Sequence, residues 1–196
     1  MQIYLIVPPN TDKATHETSL ELVQSGLVAA MLIQRGTLAD DEYRKWAKSL
    51  IAPAQQHGVA ALLDNMPEAV QSLKADGAHL TQGAKETGAW SKKLKPDAIV
   101  GAGEIFSRHD AMTNGEQIVD YIFFGHLDPS KNIDDEETAE MANWWAETFE
   151  VPTVAFVTSL DLLSKQVEFC AVREQVYEAD DPLAALKQIH NSVNSK

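Results

Sequence analysis

The chain has 196 residues, of which 44% are hydrophobic and 23% are charged, which allows one sizeable core and predicts a single domain over residues 1–196. Its net charge of −13 argues against nucleic acid or an anionic membrane surface as a partner. The single cysteine, Cys170, excludes an intrachain disulfide framework, and no apolar run approaches the ~20 residues of a membrane helix, so we expect a cytoplasmic protein.

Short and nearly apolar segments recur along the whole chain. The first of them has no basic region before it and no small-residue cleavage site after it, which is typical of a first strand and not of a signal peptide. Continuous apolar runs of this length predict parallel strands that are buried on both faces. The eight predicted strands are Ile3–Val7, Ala29–Ile33, Ala60–Leu63, Ala78–Leu80, Ala98–Gly101, Tyr121–Gly125, Thr153–Val157 and Phe169–Val172.

Amphipathic segments lie between these strands and predict helices. The first, Asp40–Ile51, begins with an acidic turn and is expected to stop before Pro53. The run Asp134–Glu137 could be taken for a metal site, but acidic residues in a first turn also complement the helix dipole, and we favour that interpretation. The predicted helices are Asp40–Ile51, Met66–Lys74, Glu136–Phe149, Ser159–Gln166 and Pro182–Val193.

Strand and helix alternate throughout the chain, which leaves two α/β architectures, a closed barrel and an open doubly wound sheet. Eight repeats in 196 residues give about 24 residues per repeat, which favours a compact (β/α)₈ barrel, the TIM barrel. No glycine-rich dinucleotide or P-loop fingerprint follows any predicted strand. The sequence therefore predicts a TIM barrel without either kind of nucleotide-binding loop.

In such a barrel, functional side chains lie at the carboxyl ends of the strands. The residues predicted there are polar and include arginine and lysine side chains. Because an acidic protein must be locally positive wherever it holds a phosphate, these arginine and lysine side chains mark places where an anion such as a small-molecule phosphate could be held. The candidate ligand-binding residues are Arg35, Asp64, Asn65, His79, Gln82, Ser130, Lys131, Thr158, Ser159 and Arg173.

Two features at this end of the barrel have alternative interpretations. Thr158 and Ser159 stand where a helix is predicted to begin, so their backbone N–H groups could bind phosphate or the two residues could be ordinary helix caps. His126 follows the sixth strand and should emerge at the mouth of the barrel, where an imidazole can transfer a proton near neutral pH. A single histidine in a loop is more often structural, so His126 is the candidate catalytic residue on its position alone.

Four segments match the motifs of one known family. Leu62–Val70 and Ala75–Leu80 are similar to I-N-D-x-x-x-x-A and A-D-G-V-H-L-G-Q-x-D around strands 3 and 4 of thiamine phosphate synthases. Asp120–Gly125 resembles the D-Y-x-x-x-G of their strand 6, and Val151–Ala155 resembles the I-P-V-V-A of their strand 7. The order and spacing hold along essentially the whole chain, so the resemblance also implies a TIM barrel.

The resemblance implies a transferase that joins a pyrimidine diphosphate to a thiazole phosphate with the help of Mg²⁺. That chemistry needs hard oxygen ligands for the metal and cations for the leaving diphosphate. The two metal-binding aspartates of the family align here with Asn65 and Ala84, and the lysine after strand 2 aligns with Thr37. With these ligands replaced, we assign no metal ligand and expect Mg²⁺ only if synthase activity is retained.

A sister group, the thiazole tautomerases, isomerises a thiazole carboxylate phosphate without metal and uses a histidine in a G-H-V-F motif. Gly125–Asp128 is similar at the first two positions, which supports His126 as an acid–base group. The resemblance thus implies a synthase-like enzyme, a tautomerase-like isomerase or a non-catalytic paralogue that binds thiamine phosphate. The expectation of a homo-oligomer also rests on the resemblance alone. A barrel recruited to an unrelated substrate remains open.

Overall fold

The computed structural model describes residues 1–128, 131 and 134–195, and in them eight strands alternate with helical segments. Every predicted strand is present, and its ends differ from the predicted ends by at most two residues. The strands are β1 (Gln2–Val7), β2 (Val28–Ile33), β3 (Ala60–Asp64), β4 (Gly77–Leu80), β5 (Ile99–Ala102), β6 (Tyr121–Phe124), β7 (Thr153–Ala155) and β8 (Phe169–Val172).

The strands pair in parallel and in chain order into a closed barrel, which confirms the predicted TIM-barrel fold. Closure is made by β1, in which Leu5 lies opposite Met31 of β2 on one side and opposite Val172 of β8 on the other. Because the sheet closes on itself, no strand is left with an unpaired edge, and the carboxyl ends of all the strands meet at one mouth.

The alternation of side chains along each strand builds two apolar layers. In β1, Tyr4 and Ile6 point inwards and pack with Phe123 in the barrel interior, whereas Leu5 and Val7 point outwards against the helices. Each of these side chains is at most 1% exposed. Full burial of such a side chain stabilises the fold by about 2 kcal/mol, so the barrel is a rigid base for its mouth.

Helices cover the outside of the barrel. In the described part of the chain, none of them is long and apolar enough to cross a membrane. They are α1 (Lys13–Gln24), α2 (Asp40–Gln56), α3 (Val70–Leu73), α4 (Ala84–Leu94), α5 (Arg108–Gly115), α6 (Asp135–Thr148), α7 (Glu174–Tyr177) and α8 (Pro182–Asn194).

The predicted end of α2 is wrong, because the helix continues through Pro53 to Gln56. A proline inside a helix costs about 3 kcal/mol, since it cannot donate a backbone hydrogen bond. The last turn offsets that cost in two ways. Ala54 is fully buried, and the Gln55 side chain donates hydrogen bonds to the Lys74 carbonyl (2.8 Å) and to Asp76 (3.1 Å).

The helix predicted over Ser159–Gln166 is also wrong, since the segment forms only a 3₁₀ turn over Leu160–Leu162. Asn143 of α6 replaces the missing helical hydrogen bonds. Its side chain donates to the Leu162 carbonyl (2.9 Å) and accepts from the backbone N–H of Ser164 (2.8 Å). The backbone of this segment is therefore satisfied partly by short turns of its own, such as Leu162 N–H to the Ser159 carbonyl (3.1 Å), and partly by a neighbouring helix.

One further helical prediction needs a small change, and another is confirmed. The segment predicted as one helix over Met66–Lys74 is a 3₁₀ turn over Pro67–Ala69 that leads into α3. The acidic run Asp134–Glu137 forms the start of α6, as predicted. Asp134 caps the helix by accepting a hydrogen bond from the backbone N–H of Glu136 (2.9 Å). Nowhere in the described ranges do three or more His, Cys, Asp or Glu side chains form a group that could hold a metal.

Candidate functional site

A glycine turn after β6 delivers His126 to the mouth of the barrel. Gly125 has φ of +111°, and a Cβ there would lie 2.5 Å from the Phe156 carbonyl oxygen, so the turn requires glycine. The His126 side chain is only 2% exposed, and its ring stacks on Phe106 with the centroids 4.6 Å apart. The imidazole is thus held in one place at the carboxyl end of the barrel.

Glu104 is the charged neighbour of His126. It follows β5 in a left-handed backbone conformation, with Oε1 3.2 Å from His126 Nδ1 and Oε2 2.5 Å from Lys131 Nζ. The His126 contact is close but not aligned as a hydrogen bond, and neither ring nitrogen has a hydrogen-bond partner among the described residues. Glu104 therefore lies between two basic side chains, His126 and Lys131, and contacts both.

A cavity of about 200 Å³, which we call the mouth cavity, opens beside His126 at the ends of β6, β7 and β8. It brings four of the predicted site residues together, namely His126, Lys131, Thr158 and Arg173. Both signs of charge are present in its wall. The lining residues are Gly125, His126, Asp128, Lys131, Asp135, Thr138, Phe156, Val157, Thr158, Arg173 and Glu174.

Arg173 joins three parts of the mouth. Its Nη1 donates hydrogen bonds to Gln34 Oε1 (2.8 Å) and to the Leu127 carbonyl (2.9 Å), and its Nη2 lies 2.5 Å from Glu174 Oε1. The side chain is only 8% exposed. Arg173 therefore fixes the ends of β2 and β8 and the turn after β6, while Glu174 balances its charge.

The loop after β7 holds an anion that belongs to the chain itself. The backbone N–H groups of Thr158 and Ser159 and the hydroxyl of Thr158, which together we call the β7 amide site, all donate to the Asp135 carboxylate. Partial burial raises the pKa of Asp135, but these hydrogen bonds outweigh that effect and lower the pKa overall. Phosphate binding and helix capping were the two predicted roles, and the observed occupant is a carboxylate.

A second depression of about 400 Å³, the β2–β4 cleft, lies on the opposite side of the mouth. The Arg35 side chain is turned towards Asp40, with Nη2 2.5 Å from Oδ1, while its backbone N–H donates to Asp64 Oδ2 (2.9 Å). The charge of Arg35 is therefore already balanced. The residues that line the cleft are Arg35, Gly36, Thr37, Leu38, Asp64, Asn65, Thr81 and Gln82.

Hydrogen bonds close the floor of this cleft. Asn65 donates from Nδ2 to Asp64 Oδ1 (2.8 Å) and to Thr81 Oγ1 (2.8 Å), and its Oδ1 accepts the backbone N–H of Thr81 (2.9 Å). Burial raises the pKa of Asp64 to about 6, even though the N–H donors of Arg35 and Asn65 act in the opposite direction. Both carboxylate oxygens of Asp64 are engaged within the chain.

His79 lies inside the barrel and lines neither cavity. It is fully buried, and its Nδ1 is 3.0 Å from the hydroxyl of Tyr121, which is itself 2.8 Å from the hydroxyl of Tyr4. Burial lowers the pKa of His79 to about 4, so the ring is neutral at neutral pH. Ligand binding was predicted for His79, but its position makes it part of the interior polar network.

The structure thus divides the predicted site residues among separate places. Ser159 lies beside the mouth cavity through its bond to Asp135, and Ser130 lies outside the described residues. Four residues meet in the mouth cavity and four others in the β2–β4 cleft. The first four are His126, Lys131, Thr158 and Arg173, and the second four are Arg35, Asp64, Asn65 and Gln82.

Sequence reasoning gave no functional role to two residues of the mouth. Glu104 stands directly after the turn that ends β5, at a carboxyl strand end, and that position was a usable signal. Asp135 had no such signal, because its sequence neighbours are those of an ordinary acidic helix start. Its contact with Thr158 joins positions 23 residues apart and depends on how α6 packs beside β7.

Comparisons with known proteins agree with the motifs. Residues 3–157 match the family model described as thiamine monophosphate synthase. The chain is 30% identical to a thiamine-phosphate synthase of Hyphomonas neptunium, over 98% of this chain and 93% of that protein. It is 32% identical to the thiamine-phosphate synthase of Rhodospirillum centenum, over 79% of this chain and 76% of that protein.

A solved structure shows the same fold. The thiamine phosphate pyrophosphorylase of Pyrococcus furiosus superposes with a TM-score of 0.79, covering 99% of this chain and 96% of its own, at 21% identity. The family match spans most of the chain and all of the strands from β1 to β7. This chain belongs to the thiamine monophosphate synthase family.

Proposed function

We propose that this chain is a thiamine-biosynthesis protein that binds a thiazole phosphate in the mouth cavity and does not use the magnesium–diphosphate chemistry of the synthases. The observation that carries the proposal is the mouth cavity, where His126, Lys131 and Arg173 meet in a chain of this family. A small heterocycle with a phosphate needs an enclosed space, an acid–base or hydrogen-bonding group and positive charge. The mouth cavity offers a recess of about 200 Å³, His126 and two cations, Lys131 and Arg173, each of which is paired with a carboxylate of the chain.

The β2–β4 cleft does not fit Mg²⁺. This ion prefers several hard oxygen ligands in near-octahedral geometry, usually including carboxylates. Among the described residues, Asp64 is the one carboxylate that lines the cleft, and its two oxygens accept hydrogen bonds from the Arg35 backbone N–H and the Asn65 side chain. Asn65 and Ala84 stand where the family resemblance implies aspartates. The proposed function therefore has no step that uses this metal.

A second candidate activity, a metal-independent isomerisation of the thiazole ring, is favoured by the pair of His126 and Glu104. An isomerase of this kind must take a proton from one ligand atom and return it to another, which one histidine can do. Glu104 lies 3.2 Å from Nδ1, so it can hold a proton there and stabilise the imidazolium. Nε2 is buried and has no hydrogen-bond partner among the described residues, so it is the nitrogen left to exchange the proton with the ligand, and stacking on Phe106 orients the ring.

The proposal is tested by two measurements on the purified chain. Incubation with pyrimidine diphosphate, thiazole phosphate and Mg²⁺ should form no thiamine phosphate above the rate in buffer. Thiazole phosphate should raise the melting temperature, because a ligand that binds only the folded state stabilises it. Formation of thiamine phosphate would contradict the first half of the proposal. Absence of stabilisation by thiazole phosphate would contradict the second half, and stabilisation by thiamine phosphate alone would indicate the non-catalytic paralogue.

The isomerase candidate predicts a specific loss in His126→Ala. The isomerisation rate should fall by about 10²- to 10⁴-fold, the usual contribution of a general acid–base group, while thiazole phosphate still shifts the melting temperature. His109→Ala, which changes an exposed histidine of α5, is the matched control and should keep the full rate. An unchanged rate in His126→Ala would exclude this role for His126.

A further inference from the structure

The Asp135 carboxylate occupies the β7 amide site as a bound anion would. Its Oδ2 accepts the backbone N–H groups of Thr158 (3.0 Å) and Ser159 (2.9 Å) as well as the Thr158 hydroxyl, and its Oδ1 accepts the Thr158 N–H again (3.2 Å). Several donors that converge on one pair of oxygens form the arrangement by which proteins bind phosphate or carboxylate groups. The chain supplies this anion from the first residue of α6.

The same balance of charge holds for the cations of the mouth cavity. Lys131 contacts Glu104 and Arg173 contacts Glu174, so each positive side chain that lines the cavity faces a carboxylate of this chain. His126 also lies 3.2 Å from Glu104, but it is buried, and neither of its nitrogens has a hydrogen-bond partner among the described residues. The cavity wall therefore includes a buried polar group without a hydrogen bond in the described part of the chain, while its donors for anions are already in use.

We propose that Asp135 is an intramolecular competitor for the β7 amide site, so that it determines how tightly the mouth cavity binds a phosphate group. The identity of the physiological ligand rests on the proposed function, but the competition does not. Asp135 is only partly buried, and its side chain can leave the donors by rotation while Asp134 still caps α6. A phosphate carries more negative charge than a carboxylate and can replace it at the same donors.

This role makes Asp135 a specificity-determining residue. While it is bound, a phosphate must displace it and also approach its negative charge, so weakly held anions are excluded from the cavity. A phosphorylated ligand enters the cavity when the part of the ligand beyond its phosphate makes further contacts, for example with His126. Removal of Asp135 should therefore raise the affinity for a bare phosphate, which has no such further contacts.

The test is titration of inorganic phosphate into Asp135→Ala, Asp135→Asn and the wild-type chain by calorimetry at constant ionic strength. Asp135→Ala should bind phosphate about tenfold or more tightly than wild type, since the N–H groups of Thr158 and Ser159 and the Thr158 hydroxyl no longer bind a carboxylate of the chain. Asp135→Asn keeps an acceptor oxygen but loses the negative charge, so its affinity for phosphate should lie between those of Asp135→Ala and wild type. Glu137→Gln removes one charge from an exposed position two residues along α6 and should bind phosphate like wild type.

Two results would overturn the proposal. One is equal phosphate affinity in Asp135→Ala, Asp135→Asn and wild type. The other is a gain in Glu137→Gln as large as the gain in Asp135→Ala, which would indicate a general charge effect. The double variant Asp135→Ala/Thr158→Val should lose much of the gain, because the Thr158 hydroxyl is one of the donors. None of these titrations contains thiazole phosphate, so failure of the proposed function would leave their outcome unchanged.

Discussion

Asp64 and Asp135 lie on opposite sides of the barrel mouth, and each accepts hydrogen bonds from the backbone of a neighbouring loop. Burial nevertheless dominates at Asp64 and raises its pKa to about 6, so the neutral form is favoured there. Donors dominate at Asp135, where Thr158 and Ser159 lower the pKa against the effect of partial burial. One side of the mouth thus has a carboxyl group that binds its proton more tightly than a free aspartate, and the other has one that binds it less tightly.

This difference separates the β2–β4 cleft from the mouth cavity, the side for which we propose ligand binding. In the β2–β4 cleft, Asp64, Asn65 and Thr81 satisfy one another and leave no carboxylate oxygen free. In the mouth cavity, His126 has no hydrogen-bond partner among the described residues, and the bound anion belongs to a partly exposed side chain. The two sides of the mouth therefore differ in how fully their polar groups are paired within the described chain.

The largest expected effect is that of Arg173→Met, which removes the anchor of the mouth cavity. The Gln34 side chain and the Leu127 carbonyl would each lose a charge-assisted donor in a buried position, so we expect the free energy of unfolding to fall by about 4 kcal/mol. Denaturant unfolding monitored by tryptophan fluorescence measures this change. The hydrogen bonds of Asn65 in the β2–β4 cleft should stay intact in this variant, while those of the mouth cavity are lost.

Arg108→Met is the matched control for Arg173→Met. The Arg108 side chain is 52% exposed and pairs with Glu140 at 3.2 Å, an arrangement that contributes at most about 1 kcal/mol. Arg173→Met should therefore cost several times more than Arg108→Met. Equal losses in the two variants would mean that Arg173 is not the anchor that its contacts indicate.

The barrel could be predicted from the sequence because each strand is encoded locally. A run such as Tyr121–Phe124 is apolar throughout and is followed by Gly125, so both the strand and the emergence of His126 at its end follow from neighbours in the chain. The family motifs also lie along the strands. Prediction of the His126 side of the site therefore needed only local pattern and the rule that sites lie at carboxyl strand ends.

The rest of the site depends on contacts between distant segments. Asp135 binds a loop 23 residues away, and Asn143 replaces the helical hydrogen bonds that the pattern of Ser159–Gln166 predicted. His79 belongs to a known motif, but only the closed barrel shows that its ring faces Tyr121 in the interior. Such pairings follow from how helices and strands pack, and a sequence pattern with a period of two or 3.6 residues does not contain them.

The opposite pKa directions predict opposite dependences of stability on pH. Asp64 binds its proton more tightly in the folded chain, so its contribution to stability is present below about pH 4 and is lost as pH rises through about 6. Between those values wild type should lose about 3 kcal/mol relative to Asp64→Asn, at about 1.4 kcal/mol for each unit of pKa. Chemical unfolding of the two proteins from pH 4 to pH 7 measures this difference.

Asp135→Asn supplies the comparison for that experiment. Because the pKa of Asp135 is lowered, its contribution is present above the ordinary aspartate pKa of 3.8 and is lost as pH falls through the folded value. Wild type should therefore lose stability relative to Asp135→Asn only in acid, and should not lose it between pH 4 and pH 7. Parallel curves for Asp64→Asn and wild type over that range would show that Asp64 ionises as freely as it does in an unfolded chain.

The smallest expected effect is that of Asn65→Asp, which returns a carboxylate to the β2–β4 cleft. The variant loses the donations from Asn65 Nδ2 to Asp64 and Thr81 and places two carboxylates side by side, so unfolding at pH 7 should become easier by about 2 kcal/mol. Asn191→Asp, at an exposed position on α8, is the control for the added charge and should change stability by less than about 0.5 kcal/mol.

Magnesium sharpens the Asn65→Asp experiment, because the ion needs carboxylate oxygens that wild type does not offer. Millimolar Mg²⁺ should restore part of the lost stability in Asn65→Asp and should leave wild type and Asn191→Asp unchanged, since a metal that binds only the folded chain stabilises it. If Mg²⁺ stabilises wild type as much as the variant, then the hydrogen bonds of Asn65 do not keep the metal out. In that case both sides of the mouth could bind a ligand, and they would differ only in how their charges are distributed.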